Sequence, residues 1–120
     1  MAVHELEVSV RESGGAAILD LIGDVDSSAE GVLQGAYEEA ARELRPIALN
    51  FSGTGYINST GIALIVGLLA QARARGIQIT AFGLSDHYRE IFEITRLADF
   101  MTITDDEDRA VSGAEGRHDA

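Results

Sequence analysis

Residues 47–65 read Ile47-Ala48-Leu49-Asn50-Phe51-Ser52-Gly53-Thr54-Gly55-Tyr56-Ile57-Asn58-Ser59-Thr60-Gly61-Ile62-Ala63-Leu64-Ile65. The run Ile47 to Phe51 follows Pro46, the only proline of the chain, and is short and apolar enough for a buried strand. Ser52-Gly53-Thr54-Gly55 is a cluster of turn residues and is expected to be a loop. From Ile62 to Ala70 the chain is apolar on nearly every side, until Gln71, Arg73 and Arg75. That run is too short to cross a bilayer and reads as a buried or interface-forming helix, stopped by Gly76. The stretch is thus a strand, a loop and a helix, with an amide (Asn58) and two hydroxyls (Ser59, Thr60) at the helix entrance.

The segments on either side repeat this alternation. Upstream, Leu6, Val8 and Val10 alternate with polar residues, as in a strand with one wet face. Glu12 to Gly15 supplies turn residues. Ala16 to Ile22 is a more apolar strand, ended by Gly23 and paired with the first as a hairpin. Ser27-Ser28-Ala29-Glu30 has the spacing of a capping box, and Leu33, Ala36, Tyr37, Ala40, Ala41 and Leu44 follow at helical spacing. Downstream, Ile77 to Phe82 alternates as a strand. Ser85 or Asp86 caps a helix carrying Tyr88, Ile91, Phe92 and Thr95 inward. Phe100 to Ile103 forms a last short strand and Asp105 to Val111 a terminal helical turn, while 113–120 lacks apolar anchors and reads as a disordered acidic tail. The order β-β-α-β-α-β-α-β predicts one α/β domain over 1–112, a mixed sheet that starts with an antiparallel hairpin. Parallel crossovers bring three loops to one sheet edge: Asp24 to Ser27, the loop through Ser59, and Gly83 to Asp86.

Composition narrows the chemistry. At 120 residues, 46% of them hydrophobic, the chain makes a single core. There is no cysteine, so thiolate catalysis, disulfides and cysteine metal sites are out. His4, His87 and His118 stand far apart in sequence, and no metal or other cofactor is expected. A net charge of −11 argues against nucleic acid as a partner. The absence of lysine excludes Schiff-base chemistry and a Walker-type phosphate loop. The N-terminus, MAVHELEVSV, lacks the apolar core of a signal peptide, so a cytoplasmic location without direct membrane contact is expected.

Neither hydroxyl has a catalytic partner in the sequence. Ile57-Asn58-Ser59-Thr60-Gly61 does not match Gly-x-Ser-x-Gly, and His87 reads as a surface residue, which leaves a hydrolase without a base. Asn58-Ser59-Thr60 and Asn50-Phe51-Ser52 fit the glycosylation tripeptide, but Asn50 falls in a predicted buried strand. The simplest role is a helix cap supplied by Asn58, Ser59 or Thr60. A hydroxyl at a helix N-terminus is also a favourable place for a phosphate.

The stretch from Asn58 to Ile65 resembles the D-S-[ST]-G phosphorylation loop and following helix of STAS domains, and in particular of bacterial anti-anti-sigma factors. Ile22 to Asp26 is similar to the family's G-x-x-D segment after the second strand. The resemblance extends from the first hairpin to about Val111. It implies a non-enzymatic STAS-type fold that acts as an anti-sigma factor antagonist. In such proteins an anti-sigma factor, a protein kinase that itself binds ATP, phosphorylates the loop, and a phosphatase resets it. The unphosphorylated form binds the anti-sigma factor and frees sigma. Carried over by residue, Ser59 is the first candidate phosphoacceptor and Thr60 the second. Asp24, Asp26, Ile57, Asn58, Gly61 and Ile62 form the phospho-loop and partner-binding surface, with Ile65 supporting it. Asn58 stands where the family has aspartate, a departure that also admits a non-switching scaffold or adaptor in a stress-sensing or transport-associated assembly. The oligomeric state is left open by the sequence.

Overall fold

The computed structural model describes residues 5–116, with side chains through 112. Strands β1 (Glu7–Ser13) and β2 (Ala16–Val25) form the expected antiparallel hairpin. Only Gly14 and Gly15 make the turn, at φ 58° and 85°. Two consecutive left-handed residues are the requirement of a two-residue hairpin whose twist matches the strands it joins. The chain continues through helix α1 (Glu30–Ala41), strand β3 (Ile47–Ile57), helix α2 (Ser59–Ala74), strand β4 (Ile79–Phe82), helix α3 (Asp86–Ile94), strand β5 (Thr102–Thr104) and helix α4 (Glu107–Gly116). The five strands lie in sequence order, and β2 to β5 are mutually parallel.

Strand alternation divides the core between the two sheet faces. Leu19, Leu49, Phe51, Ile79 and Ala81 face the layer of α1, α2 and α3, where they meet Leu33, Ile65, Leu68 and Phe92. Phe51 and Phe92 pack edge to face, with centroids 5.7 Å apart. On the other face Ala16, Ile18, Ala48 and Phe82 are covered by Ala110 and Val111 of α4. Arg11 tethers that helix, its guanidinium donating to Asp20 at 2.6 Å and to Glu107 at 2.6 Å. The same contacts hold both carboxyls below their usual range.

Several boundaries differ from the sequence reading, each for a physical reason. Gly23 does not end β2: it takes φ 114° at an irregularity in the β2–β3 register, and the strand runs on to Val25. Ser52 to Gly55 is strand, not loop. Gly53 and Gly55 mark close approach, since a Cβ at Gly53 would lie 3.1 Å from the Leu21 carbonyl oxygen and one at Gly55 2.8 Å from Asp24 Oδ1. The Ser27–Glu30 capping box does not form. Asp26 instead caps a 3₁₀ turn over Ser27–Ala29, and α1 begins after Ala29 without a side-chain cap. Leu44 lies past the end of α1, at φ 54°, and is exposed. Thr95 is also exposed, its hydroxyl donating to the Ile91 carbonyl at 2.7 Å. Phe100 lies outside β5 with 56% of its surface exposed. The expected tail from 113 is helical as far as Gly116, and 117–120 lies outside the described residues. Gly76 is the stop the sequence suggests: at φ 72° it lets its own N–H reach Arg73 O and that of Ile77 reach Ala72 O.

Candidate functional site

The C-terminal ends of β2, β3 and β4 meet as expected, and backbone contacts lock them together. Asn58 follows β3 directly and is the N-cap of α2, its Oδ1 accepting from the Gly61 N–H at 2.8 Å. Of the three residues able to cap this helix, the amide does so and both hydroxyls stay free for solvent. Asn58 also donates its own N–H to the Val25 carbonyl at 3.2 Å. That carbonyl explains Gly61: a Cβ there would stand 2.0 Å from Val25 O, so any side chain would drive α2 off the end of β2. From the other side, Tyr88 of α3 offers its hydroxyl oxygen to the Ile57 N–H at 2.9 Å.

Ser59 and Thr60 open α2, and both are exposed. Neither hydroxyl makes a hydrogen bond among the described residues. Ile57 is only 4% exposed and, like the buried Ile65, belongs to the core, so both support the edge from beneath. Ile62 is half-buried on the first turn. Asp26 Oδ1 accepts from the Ser28 hydroxyl at 2.6 Å and from the Ser28 N–H at 3.0 Å, and these bonds, the hydroxyl's foremost, hold its carboxyl below the usual range. Asp24 lies against Gly55. His87 packs edge-on against Tyr88, 4.8 Å between centroids, and is exposed. Among the described residues no group of His, Asp and Glu is placed to hold a metal ion, and no helix is long and apolar enough to cross a membrane.

The edge is acidic. Asp24, Asp26, Glu30 and Asp86 belong to its loops and first helical turns, and segments 22–30, 55–62 and 83–88 contain no arginine. A phosphate on Ser59 or Thr60 would enter at a helix N-terminus, near free backbone N–H groups, but among carboxylates and without a guanidinium from these loops. Sequence reasoning missed two parts of this frame. The Tyr88–Ile57 bond joins residues far apart in the chain, and nothing local signals it. The need for Gly61 could have been suspected, because a glycine in the first turn of a helix is costly unless something presses against it.

A family model described as Mlab, STAS domain matches residues 8–104. An anti-sigma-B factor antagonist of Listeria monocytogenes is 28% identical over 99 residues, which cover 82% of this chain and 86% of that protein. Among solved structures, an anti-sigma factor antagonist from Mycobacterium paratuberculosis gives a TM-score of 0.82 at 13% identity, covering 95% of this chain and 97% of that one. SpoIIAA in its unphosphorylated form gives 0.70 at 17% identity, covering 92% and 98%, and the phosphorylated form of this Bacillus protein has also been solved. At such identities the two structures speak for the fold alone. The family model, however, spans nearly the whole sheet, the tight β2–α2 junction and the capped entrance of α2, and the chain belongs to the STAS domain family.

Proposed function

We propose that the protein is an anti-sigma factor antagonist switched by phosphorylation. In this reading the unphosphorylated chain docks its Ser59 edge on a kinase-type anti-sigma factor and releases sigma. Transfer of a phosphoryl group from the partner's ATP to Ser59, with Thr60 as second choice, ends the contact, and a phosphatase restores it in the cytoplasm. The observation that carries this is the pair of exposed, unbonded hydroxyls on a helix start held rigid by Asn58 and Gly61. A phosphoacceptor needs no more, since nucleotide, metal and base come from the kinase. The names of the curated relatives point the same way.

Phosphorylation adds about −1.5 to −2 charges. With Asp24, Asp26 and Asp86 nearby and no arginine in these loops, that charge repels an acidic or apolar contact instead of ordering a loop. Asn58 is compatible with the switch, because its work here is to cap the helix and an amide oxygen caps as well as a carboxylate. The test is incubation with the cognate anti-sigma kinase and ATP, followed by intact mass and site mapping. Ser59→Ala should keep binding and resist modification. Full modification of Ser59→Ala would move the acceptor to Thr60. Binding indifferent to both Ser59→Glu and Thr60→Glu, with no modification of the wild type, would sink the switch and leave the scaffold reading.

A further inference from the structure

Among the described residues no helix or strand packs against the outer face of α2. At about 100° per residue, Ser59, Ala63, Val66, Ala70 and Arg73 fall within roughly 80° of one another, and all five are exposed. No charge lies on this face between Ser59 and Arg73, whereas the exposed residues of α1 include Glu38 and Glu39 and those of α3 include Asp86, Glu90 and Glu93. A helix that is apolar on every side belongs against a second surface. Beside the stripe, a largely apolar groove of about 270 Å³ opens between α2 and the turn after α3, with Val66, Leu69, Ala70 and Phe100 in its walls and Arg73 and Arg96 also lining it. Val66 is 46% exposed and Phe100 56%.

We propose that this face is the contact between two copies of the chain, packed α2 against antiparallel α2 about a two-fold axis at Val66. About Val66 the stripe maps onto itself to within one residue, as an isologous interface requires. With Val66 on the axis, Ile62 of one copy falls opposite Ala70 of the other, over the Phe100 groove, and Ser59 falls opposite Arg73. Charge selects the antiparallel sense. The Ser59 end is bordered by Asp24, Asp26 and Asp86, while the far end carries Arg73 and Arg75. Arg73 makes no ion pair among the described residues, its guanidinium resting 5.5 Å from the centre of the Phe100 ring. Antiparallel packing brings unlike ends together, and parallel packing would bring like ends together. Ala63, Gly67 and Ala70 keep the surface low enough for the helices to approach to about 8 Å, and nothing lies within 4 Å of where a Gly67 Cβ would be.

The dimer covers Ser59 and Ile62 and so competes with the anti-sigma contact proposed above; its existence is tested on the purified full chain alone, by sedimentation velocity from about 1 μM to about 1 mM. The wild type should show a concentration-dependent monomer–dimer equilibrium. Val66→Lys sets two like charges at the axis and should weaken it at least tenfold, about 1.4 kcal/mol, with an unchanged circular dichroism spectrum because the site is exposed. Arg73→Glu should also loosen it, by placing a carboxylate against the acidic end. A wild type monomeric throughout, or a dimer indifferent to Val66→Lys, overturns the proposal, and a dimer indifferent to Arg73→Glu overturns the antiparallel register.

Discussion

Helices α1 and α2 both start at the C-terminal end of a parallel strand, yet they start in different ways. After β2 the chain spends Asp26 to Ala29 on a capped 3₁₀ turn before α1 begins, and Ala29 supplies no side-chain cap. After β3 there is no detour: Asn58 caps α2 at once, its N–H is tied to Val25, and Gly61 sits against the same carbonyl. The candidate phosphoacceptor is therefore carried on a rigid frame, while the carboxylate of its acidic neighbour Asp26 is held by Ser28, on a turn that the buried Ala29 anchors with its N–H on the Asp26 carbonyl at 2.9 Å. Rigid presentation of the hydroxyls would suit the kinase and phosphatase of the proposed switch.

The sharpest way to break the contrast is to place the same methyl group in each helix. Gly61→Ala puts a Cβ 2.0 Å from a backbone carbonyl that cannot step aside, and a loss of about 3 kcal/mol or more in urea unfolding is expected. Gly31→Ala in α1 meets nothing within 4 Å and removes only the entropic cost of glycine in a helix, so stability should rise by about 0.5–1 kcal/mol. Equal effects at the two positions would mean that the β2–α2 junction yields, and the rigid frame would be lost from the account.

Asn58 gives a smaller effect that bears on function. Asn58→Ala removes the cap and should cost about 1 kcal/mol, by the same unfolding measurement. Asn58→Asp keeps the cap and adds a charge at the positive end of the helix, so its stability should equal or exceed the wild type by about 0.3–1 kcal/mol. If Asn58→Asp raises the phosphorylation rate far more than it raises stability, the aspartate of the family acts on the hydroxyl itself and not only on the helix.

How much of this was legible follows from the range of each signal. Strand alternation and the apolar run after Ser59 are local patterns, and they correctly placed the hairpin, the parallel strands and the α2 helix. Glycine misled twice, because at Gly23 and across Ser52–Gly55 it marks a bulge and close strand approach, and the same letters mark turns elsewhere. The Ser27–Glu30 spacing imitated a capping box because Asp26, one residue earlier, competes for the free N–H groups and wins. Ser59, Thr60, Asn58 and Asp26 were assigned together from the resemblance to the STAS phosphorylation loop, and they lie at strand ends that the parallel topology brings to one edge. The brace from Tyr88 depends on how α3 packs, and no local pattern carries that information.

Acid should separate the two helix starts with the smallest perturbation. Asp26 has its carboxyl held below the usual range by the Ser28 hydroxyl and N–H, so its contribution is fully present above the unfolded value of about 3.9 and is lost as pH falls through the lower folded value. The cap of α2 is an amide and does not titrate. On lowering the pH from about 6 to about 2.5, the Ser28 amide should lose hydrogen-exchange protection, corrected for intrinsic rates, before the Gly61 amide does. Asp20, Asp105 and Glu107, also held low by arginine partners, weaken the whole fold in the same range, and Arg11 and Arg89 tie them to other elements. The comparison is therefore made between the two amides within one sample. Ser28→Ala removes the foremost cause of the depressed value, and in that variant the opening of the turn should move to higher pH while Gly61 stays unchanged. If the two amides open together in both proteins, the turn before α1 is as firmly built as the entrance of α2, and the difference between the two starts is only one of geometry.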